Sequence, residues 1–87
     1  MHYVYLLRSK THPDHTYIGS THDLRARLDQ HNAGKSIHTN KFKPWTLEAY
    51  IAVPEKHLAE QFESYLKSGS GRAFAKRHLQ TQNGRNS

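Results

Sequence analysis

Five side chains in this sequence carry reactive or charge-holding groups at spacings that one small fold can gather: Tyr5, Tyr17, Arg27, His31 and Glu63. A phenol titrates near 10, so it takes up a proton at neutral pH only where cations lower that value. A guanidinium is a permanent charge with a planar fork that matches oxyanions. An imidazole exchanges protons near neutrality, and a carboxylate can hold a hard cation. Each residue also has an ordinary structural reading. Paired strand tyrosines pack across a sheet, a helix arginine faces solvent, and a helix-end histidine packs on a neighbour such as Leu28. Residue type alone leaves both readings open.

The elements that must position these groups follow from period and punctuation. Eleven residues separate Tyr5 from Tyr17, and each lies in a short run of β-forming residues. Between them Ser9 to His15 is polar and holds Pro13 and Asp14, which predicts a hairpin loop longer than a two-residue turn. Strands over 2–8 and about 16–20 are therefore expected as antiparallel neighbours. Alternation puts Val4 and Leu6 on one face, and Tyr3, Tyr5 and Leu7 on the other. With Val4, Leu6 and Ile18 in the core, Tyr5 and Tyr17 emerge together on the opposite face.

Ser20-Thr21-His22-Asp23 supplies capping chemistry, with Ser20 or Thr21 as the expected N-cap and Asp23 in the first turn. Leu24, Leu28 and His31 then recur at helical spacing and Gly34 closes the helix, giving a span of about 22–32. Arg27 and His31 lie side by side at the edge of its apolar stripe. Lys35 to Pro44 has no periodicity and reads as an exposed loop. Trp45 to Val53 alternates as a third strand whose buried face is set by Leu47 and Ile51. Pro54 and Glu55 open a helix running to about Ser68, with Glu63 at the border of its apolar side and Glu60 turned nearly opposite. Gly69-Ser70-Gly71 breaks it, and Ser70 caps a shorter helix over 71–79 that exposes Arg72, Lys76 and Arg77. The order β-β-α-β-α-α makes a small α+β fold, a three-stranded antiparallel sheet flanked by helices. One domain over 1–79 is expected, with a disordered tail over 80–87.

Composition narrows the class of partner. Eighty-seven residues make one thin core, burying about 60 per cent of the surface of the unfolded chain. A net charge of +6 and a pI near 9.8 are the footprint of a nucleic-acid partner. After Glu63 the sequence has no acidic residue, while Lys67, Arg72, Lys76, Arg77 and Arg85 follow. The absence of cysteine excludes a disulfide framework and a thiolate metal site. Eight histidines raise zinc as a rival, but His12-x-x-His15 and the pair His31 and His38 lack a recognised ligand pattern. No apolar run reaches the length of a signal-peptide core or a membrane span, so no membrane partner and a cytoplasmic, or nucleoid-associated, location are expected.

Taken together, Tyr3-Val4-Tyr5, Tyr17-Ile18-Gly19, Arg27 and His31 within Leu24 to Asn32, and the Glu63-x-x-Leu66 pattern resemble the GIY-YIG nuclease domain. The first tripeptide departs from Gly and Ile but keeps its tyrosine, and the second matches in full. The likeness runs over about residues 2–79 and is nearest to small stand-alone members. It implies an endonuclease that hydrolyses DNA phosphodiester bonds with Mg²⁺, or Mn²⁺, as cofactor. In that frame one motif tyrosine activates or orients water, a choice between Tyr5 and Tyr17 that the sequence leaves open and that leans to Tyr5 as base with Tyr17 orienting; Arg27 holds the phosphate, His31 accepts or relays a proton, and Glu63 is the single metal carboxylate. A bare domain must grip its substrate through Arg25, Lys35, Lys41, Lys43, Lys67, Arg72, Lys76 and Arg77. Trp45, Phe42, Tyr3 or Phe74, if exposed, would suit stacking on unpaired bases, which favours single-stranded, flapped or branched DNA, while Trp45 and Phe42 read equally well as core-edge residues. The rival reading is a non-catalytic RNA- or ribosome-binding protein that keeps the fold.

Overall fold

The computed structural model describes residues 1–80. Three strands, β1 (His2–Ser9), β2 (Thr16–Thr21) and β3 (Trp45–Val53), form one antiparallel sheet in the order β2-β1-β3. Helices α1 (Leu24–Asn32) and α2 (Ile37–Asn40) lie between β2 and β3, and α3 (Lys56–Leu66) and α4 (Gly69–His78) follow β3. The expected α+β architecture is what forms, with one additional short helix.

The central place of β1 follows from its sequence. Val4, Tyr5, Leu6 and Leu7 are four successive buried residues, so both faces of this strand are covered. On one face Val4 and Leu6 join Ala59, Leu66 and Ala75 of α3 and α4, with Ile18, Val53, Phe62, Phe74 and Leu79 packed around them. On the other, Tyr5 and Leu7 join Trp45, with Tyr17, Leu24, Leu28 and Phe42 around them. The sheet thus separates two small cores. The tyrosines that alternation sends away from the Val4 face do not meet solvent there. They become the ceiling of the α1 core.

One irregularity makes this possible. The β1–β3 register pairs Leu6 with Ala49 but Leu7 with Leu47, a bulge that adds one residue to β3. Parity along β3 therefore reverses at Glu48. Ile51 stays with Val4 on the α3 side, whereas Leu47 and Trp45 turn toward α1, so Leu47 and Ile51 do not share a face as strict alternation predicts. Glu48 forms a two-pronged ion pair with Arg8, at 3.1 Å to both Nε and Nη2. Arg8 Nη2 also donates to Gln80 Oε1 at 3.2 Å, so Gln80 is fastened to the sheet, contrary to the disorder expected from residue 80 on. The rest of that expectation, 81–87, lies outside the described residues.

Different residues cap α1 and α4 from those expected, and each helix start shifts by two positions. Asp23, in extended conformation, is the N-cap of α1 and accepts from the Ala26 amide at 3.0 Å, in place of Ser20 or Thr21. Ser68 caps α4 through the Gly71 amide at 3.2 Å, three residues before the expected start and in place of Ser70. Gly34 follows α1 at φ +79°, a left-handed turn that a side chain would strain. It reverses the chain into α2, inside the stretch expected to be open loop. Pro54 precedes Glu55, the extended N-cap of α3, so it stands just outside the helix. Among the described residues no helix is long and apolar enough to cross a membrane.

Candidate active site

The α1 core contains a polar junction. Tyr5 from the middle of β1 and His31 from the last turn of α1 meet inside it, 3% and 0% exposed. The Tyr5 hydroxyl lies 3.0 Å from His31 Nε2. Arg27 sits one turn before His31 on the same side of α1, and its Nε reaches the Tyr5 oxygen at 3.4 Å. Arg27 Nη1 donates to Gln30 Oε1 at 2.9 Å. Tyr17 closes the group from β2, its ring 5.0 Å from His31 and 6.3 Å from Tyr5 between centroids.

Gly19 makes the junction sterically possible. It pairs directly with Tyr5 across the β1–β2 ladder, and a Cβ there would clash with the Tyr5 hydroxyl oxygen and lie 2.7 Å from Tyr5 Cζ. Its backbone is not left-handed, so the need for glycine is spatial and not conformational.

The far side of His31 is also fixed. Its Nδ1 lies 2.7 Å from Thr39 Oγ1, and Thr39 is fully buried in α2. The Thr39 carbonyl accepts from Trp45 Nε1 at 2.9 Å. Asn32 then brackets the Trp45 backbone, donating from Nδ2 to its carbonyl at 3.1 Å and accepting from its amide at 2.5 Å. Trp45 is 4% exposed and serves this framework, not a stacking surface. Of the other expected stacking residues, Tyr3 packs against Tyr50, Phe74 packs against Phe62 and Tyr65, and Phe42 is stacked on His15 with centroids 4.0 Å apart.

Burial governs the protonation of this group. It raises the Tyr5 phenol above its usual value; the Arg27 hydrogen bond opposes that, while Tyr17 and Glu63 add to it. Burial first and the Arg27 charge second lower His31, which is therefore neutral at pH 7. Arg27 is raised, chiefly by its bond to Tyr5.

Glu63 is placed by α3 on the other face of the sheet. Its Oε1 accepts from Ser20 Oγ at 2.8 Å and its Oε2 pairs with Lys67 at 2.8 Å. It does not touch Tyr5, yet its charge is felt there. An ionised carboxylate has about four lone-pair sites, so Glu63 keeps room for a cation beside these two partners. Among the described residues no three His, Cys, Asp or Glu side chains gather into a metal cluster. This donor set fits Mg²⁺, which accepts one carboxylate and retains water, with the Lys67 ammonium as a competitor.

An open cleft of about 580 Å³ runs between α1 and the first turns of α3, lined by Arg27 and Gln30 on one side and Lys56 and Glu60 on the other, with Ser20 to Asp23 as its floor. Glu60, which the helical wheel turns away, thus borders the cleft that Arg27 enters, paired at 4.0 Å with Lys56. Arg25, Lys35, Lys41 and Lys43 are exposed on and after α1, and Arg72, Lys76 and Arg77 on α4. None of these seven lines the cleft. Lys67 is bound to Glu63, so its first partner is that carboxylate.

A profile of the GIY-YIG catalytic domain matches residues 1–80. The chain belongs to the GIY-YIG family. Within this GIY-YIG chain the two motif tyrosines, the helix arginine and the helix histidine are one contact group, and the α3 carboxylate faces them from the other side of the sheet. The chain is 39% identical to the structure-specific endonuclease subunit SLX1 of Candida dubliniensis over 87% of its own length and 28% of that protein. With the protein of the same name from Debaryomyces hansenii it shares 38% identity over 97% of the chain and 26% of the relative. With that of Malassezia globosa it shares 43% over 68% and 14%. The chain therefore spans less than a third of these relatives. Four further side chains, Ser20, Gln30, Asn32 and Thr39, complete the site. Ser20 directly follows the YIG tripeptide and Gln30 and Asn32 flank His31 on α1, which were usable signals; Thr39 is joined to the site only by chain reversal.

Proposed function

We propose that this domain is an endonuclease that hydrolyses phosphodiester bonds in DNA where an unpaired or branched strand leaves a duplex, with Mg²⁺ required and Mn²⁺ able to replace it. The observation that carries this reading is the buried Tyr5 hydroxyl held between His31 and Arg27, with Arg27 also lining an open cleft. The SLX1 relatives are named structure-specific endonucleases, which supports a substrate chosen by shape.

In this reading the Arg27 guanidinium holds the scissile phosphate and keeps its charge as the pentavalent transition state develops. Tyr5 takes the proton of the attacking water, helped by Arg27 against the effects of burial and of Glu63. Tyr17 orients that water. Glu63, set by Ser20 and Lys67, would hold the cation, which when bound neutralises charge on the leaving oxygen. Arg25, Lys35, Lys41, Lys43, Arg72, Lys76 and Arg77 supply phosphate contacts outside the cleft. The test is incubation with single-stranded, duplex, flapped and branched DNA, and with RNA, in Mg²⁺ or in EDTA. Mg²⁺-dependent cuts at the branch are expected. Binding to these substrates without cleavage in either condition would sink the proposal.

A further inference from the structure

The face of the sheet that carries Tyr5 is only partly covered by α1. The β1–β3 register sets Tyr50 directly opposite Tyr5, and Tyr3 stands two residues before Tyr5 on its own strand, so the three phenols share one face. Tyr5 leans toward β2, with its hydroxyl against Gly19, and is buried. Tyr50, on the outer strand, is 53% exposed, and Leu47, which the bulge turns to the same face, is 38% exposed. The Tyr3 and Tyr50 rings meet steeply, with centroids 5.9 Å apart and planes at 68°. An edge contact of this kind takes at most one face of a ring, so Tyr50 is braced by Tyr3 and keeps the other face open. Cross-strand packing accounts for that contact but not for where the pair stands. Arg27 lines the open cleft floored by Ser20 to Asp23 and also the narrow crevice formed by Tyr5, Leu24, Leu28 and Leu47. It thus stands between the cleft and the β3 side of the sheet. Glu48 is the single acid in the three strands and is turned to Arg8 on the opposite face, so no strand carboxylate repels a phosphate that passes from Arg27 toward Tyr50.

We infer that Tyr50, braced by Tyr3, is the platform on which an unpaired base beside the scissile phosphate stacks, and that it is a specificity-determining residue of this site. Every base has a π-face, so the platform accepts any base, but only one that has left its duplex. The phosphate at Arg27 and the base on Tyr50 belong to adjoining parts of one strand, which is how the site tells a released strand from a paired one. Of the exposed aromatics among the described residues, Tyr65 lies across the sheet, against Phe62 and Phe74 of the α3 core, and has no access to Arg27. The inference rests on the nuclease reading for the phosphate that is held, and on register and exposure for the platform itself.

The experiment measures binding of the full chain in EDTA, apart from cleavage. A fluorescein-labelled flapped oligonucleotide with an unpaired thymidine arm carries one abasic site, moved through the arm, and anisotropy gives Kd at each position. The wild type is expected to lose roughly 5- to 150-fold in affinity at one position near the branch. Tyr50→Thr and Tyr50→Val, which keep a strand-forming side chain without the ring, should bind the unmodified flap more weakly by the same factor and ignore the abasic site. Tyr50→Phe and Tyr50→Trp keep a ring and should behave as the wild type, and intact duplex should be bound equally by all. In Mg²⁺ the loss should fall on KM, with kcat little changed. A wild type indifferent to every abasic position overturns the inference. So does Tyr50→Thr with wild-type affinity for the flap or an equal loss on duplex, or Tyr50→Phe falling as far as Tyr50→Thr. If nothing is cut in Mg²⁺ while the abasic penalty still depends on Tyr50, the nuclease reading fails and the platform stands; if the flap is cut and that dependence is absent, the platform alone fails. Should the ringless variants not fold, the abasic series on the wild type and Tyr50→Phe decides.

Discussion

Replacing Gly19 by alanine adds a single methyl group directly beneath the hydroxyl end of the reactive phenol. The new Cβ would clash with the Tyr5 hydroxyl oxygen and lie 2.7 Å from Tyr5 Cζ, so the ring must tilt or the strands must part. The ring cannot tilt freely, because Tyr5 is 3% exposed and packed against Leu7 and Trp45. Overpacking of this kind costs about 1–3 kcal/mol, and breaking the buried bond to His31 adds roughly 1–3 kcal/mol for the groups left unpaired. A domain of this size has a total stability of about 4–13 kcal/mol. A loss of about 2–6 kcal/mol should lower the midpoint of Gly19→Ala by roughly 10–50 °C at about 4–8 °C per kcal/mol, with the variant still folded in the cold at the lower end of that cost. Activity should fall further than stability. Displacement of a reacting group by about 1 Å costs on the order of a hundredfold in rate. The assay is thermal unfolding by circular dichroism, paired with kcat measured well below the lowered midpoint. Tyr5→Phe and the double variant complete a cycle: once the hydroxyl is gone, the second substitution should cost little further activity, because both act on one group. A Gly19→Ala variant with wild-type midpoint and rate would show that Tyr5 and β2 do not approach as described.

Tyr5→Phe should slow cleavage by about 10²- to 10⁴-fold while leaving the fold intact; a dead Tyr17→Phe beside an active Tyr5→Phe would reverse their roles. Glu63→Gln should abolish stimulation by Mg²⁺ in a metal titration of rate, whereas Glu60→Gln should shift it little; the opposite result moves the metal site into the cleft. His31 is lowered in the folded protein, so protonation favours the unfolded chain: its contribution is complete above about 6.5 and is lost as pH falls below that value. The unfolding midpoint should drop from pH 7.5 to 5 and drop less in His31→Asn, and equal slopes would contradict a neutral buried imidazole. Neutralising Lys76 and Arg77 should lower the slope of log affinity against log salt by about 0.7 per lost contact on single strands, while Arg27→Ala should abolish turnover and weaken binding little; binding lost in step with rate would make Arg27 a simple phosphate anchor.

Much of the site is legible in the sequence because it rests on regular structure. Strand alternation places Tyr5 and Tyr17 on one face, and a four-residue step on a helix places Arg27 beside His31. These relations need only local geometry. The same periodicity misjudges β3, since parity is preserved only while the ladder is regular and the bulge at Glu48 resets it. The Lys35 to Pro44 stretch is opaque for another reason: a four-residue helix is too short to show a period, so nothing marks Thr39 as the partner of His31. The choice among Ser20, Thr21 and Asp23 as N-cap depends on one dihedral pair among three suitable residues. Glu60 is misjudged because the helical wheel locates the core of α3 and says nothing of a cleft formed with another helix.

The bulge at Glu48 also bears on how this strand can change in evolution. A single residue out of phase lets β3 send Trp45 and Leu47 to one core and Ile51 and Val53 to the other, much as a dislocation joins two offset lattices. Its length is therefore quantised. Loss of one residue at Glu48 would realign the ladder but send either the tryptophan or the isoleucine to the wrong side, and would also remove the carboxylate that holds Arg8. Substitutions along β3 can be sampled one at a time, but a one-residue deletion there must be answered at once by a compensating change in the chain on one side of it. The hairpin loop between β1 and β2 carries no such constraint, so variation in length among related sequences should collect there and stop at Trp45.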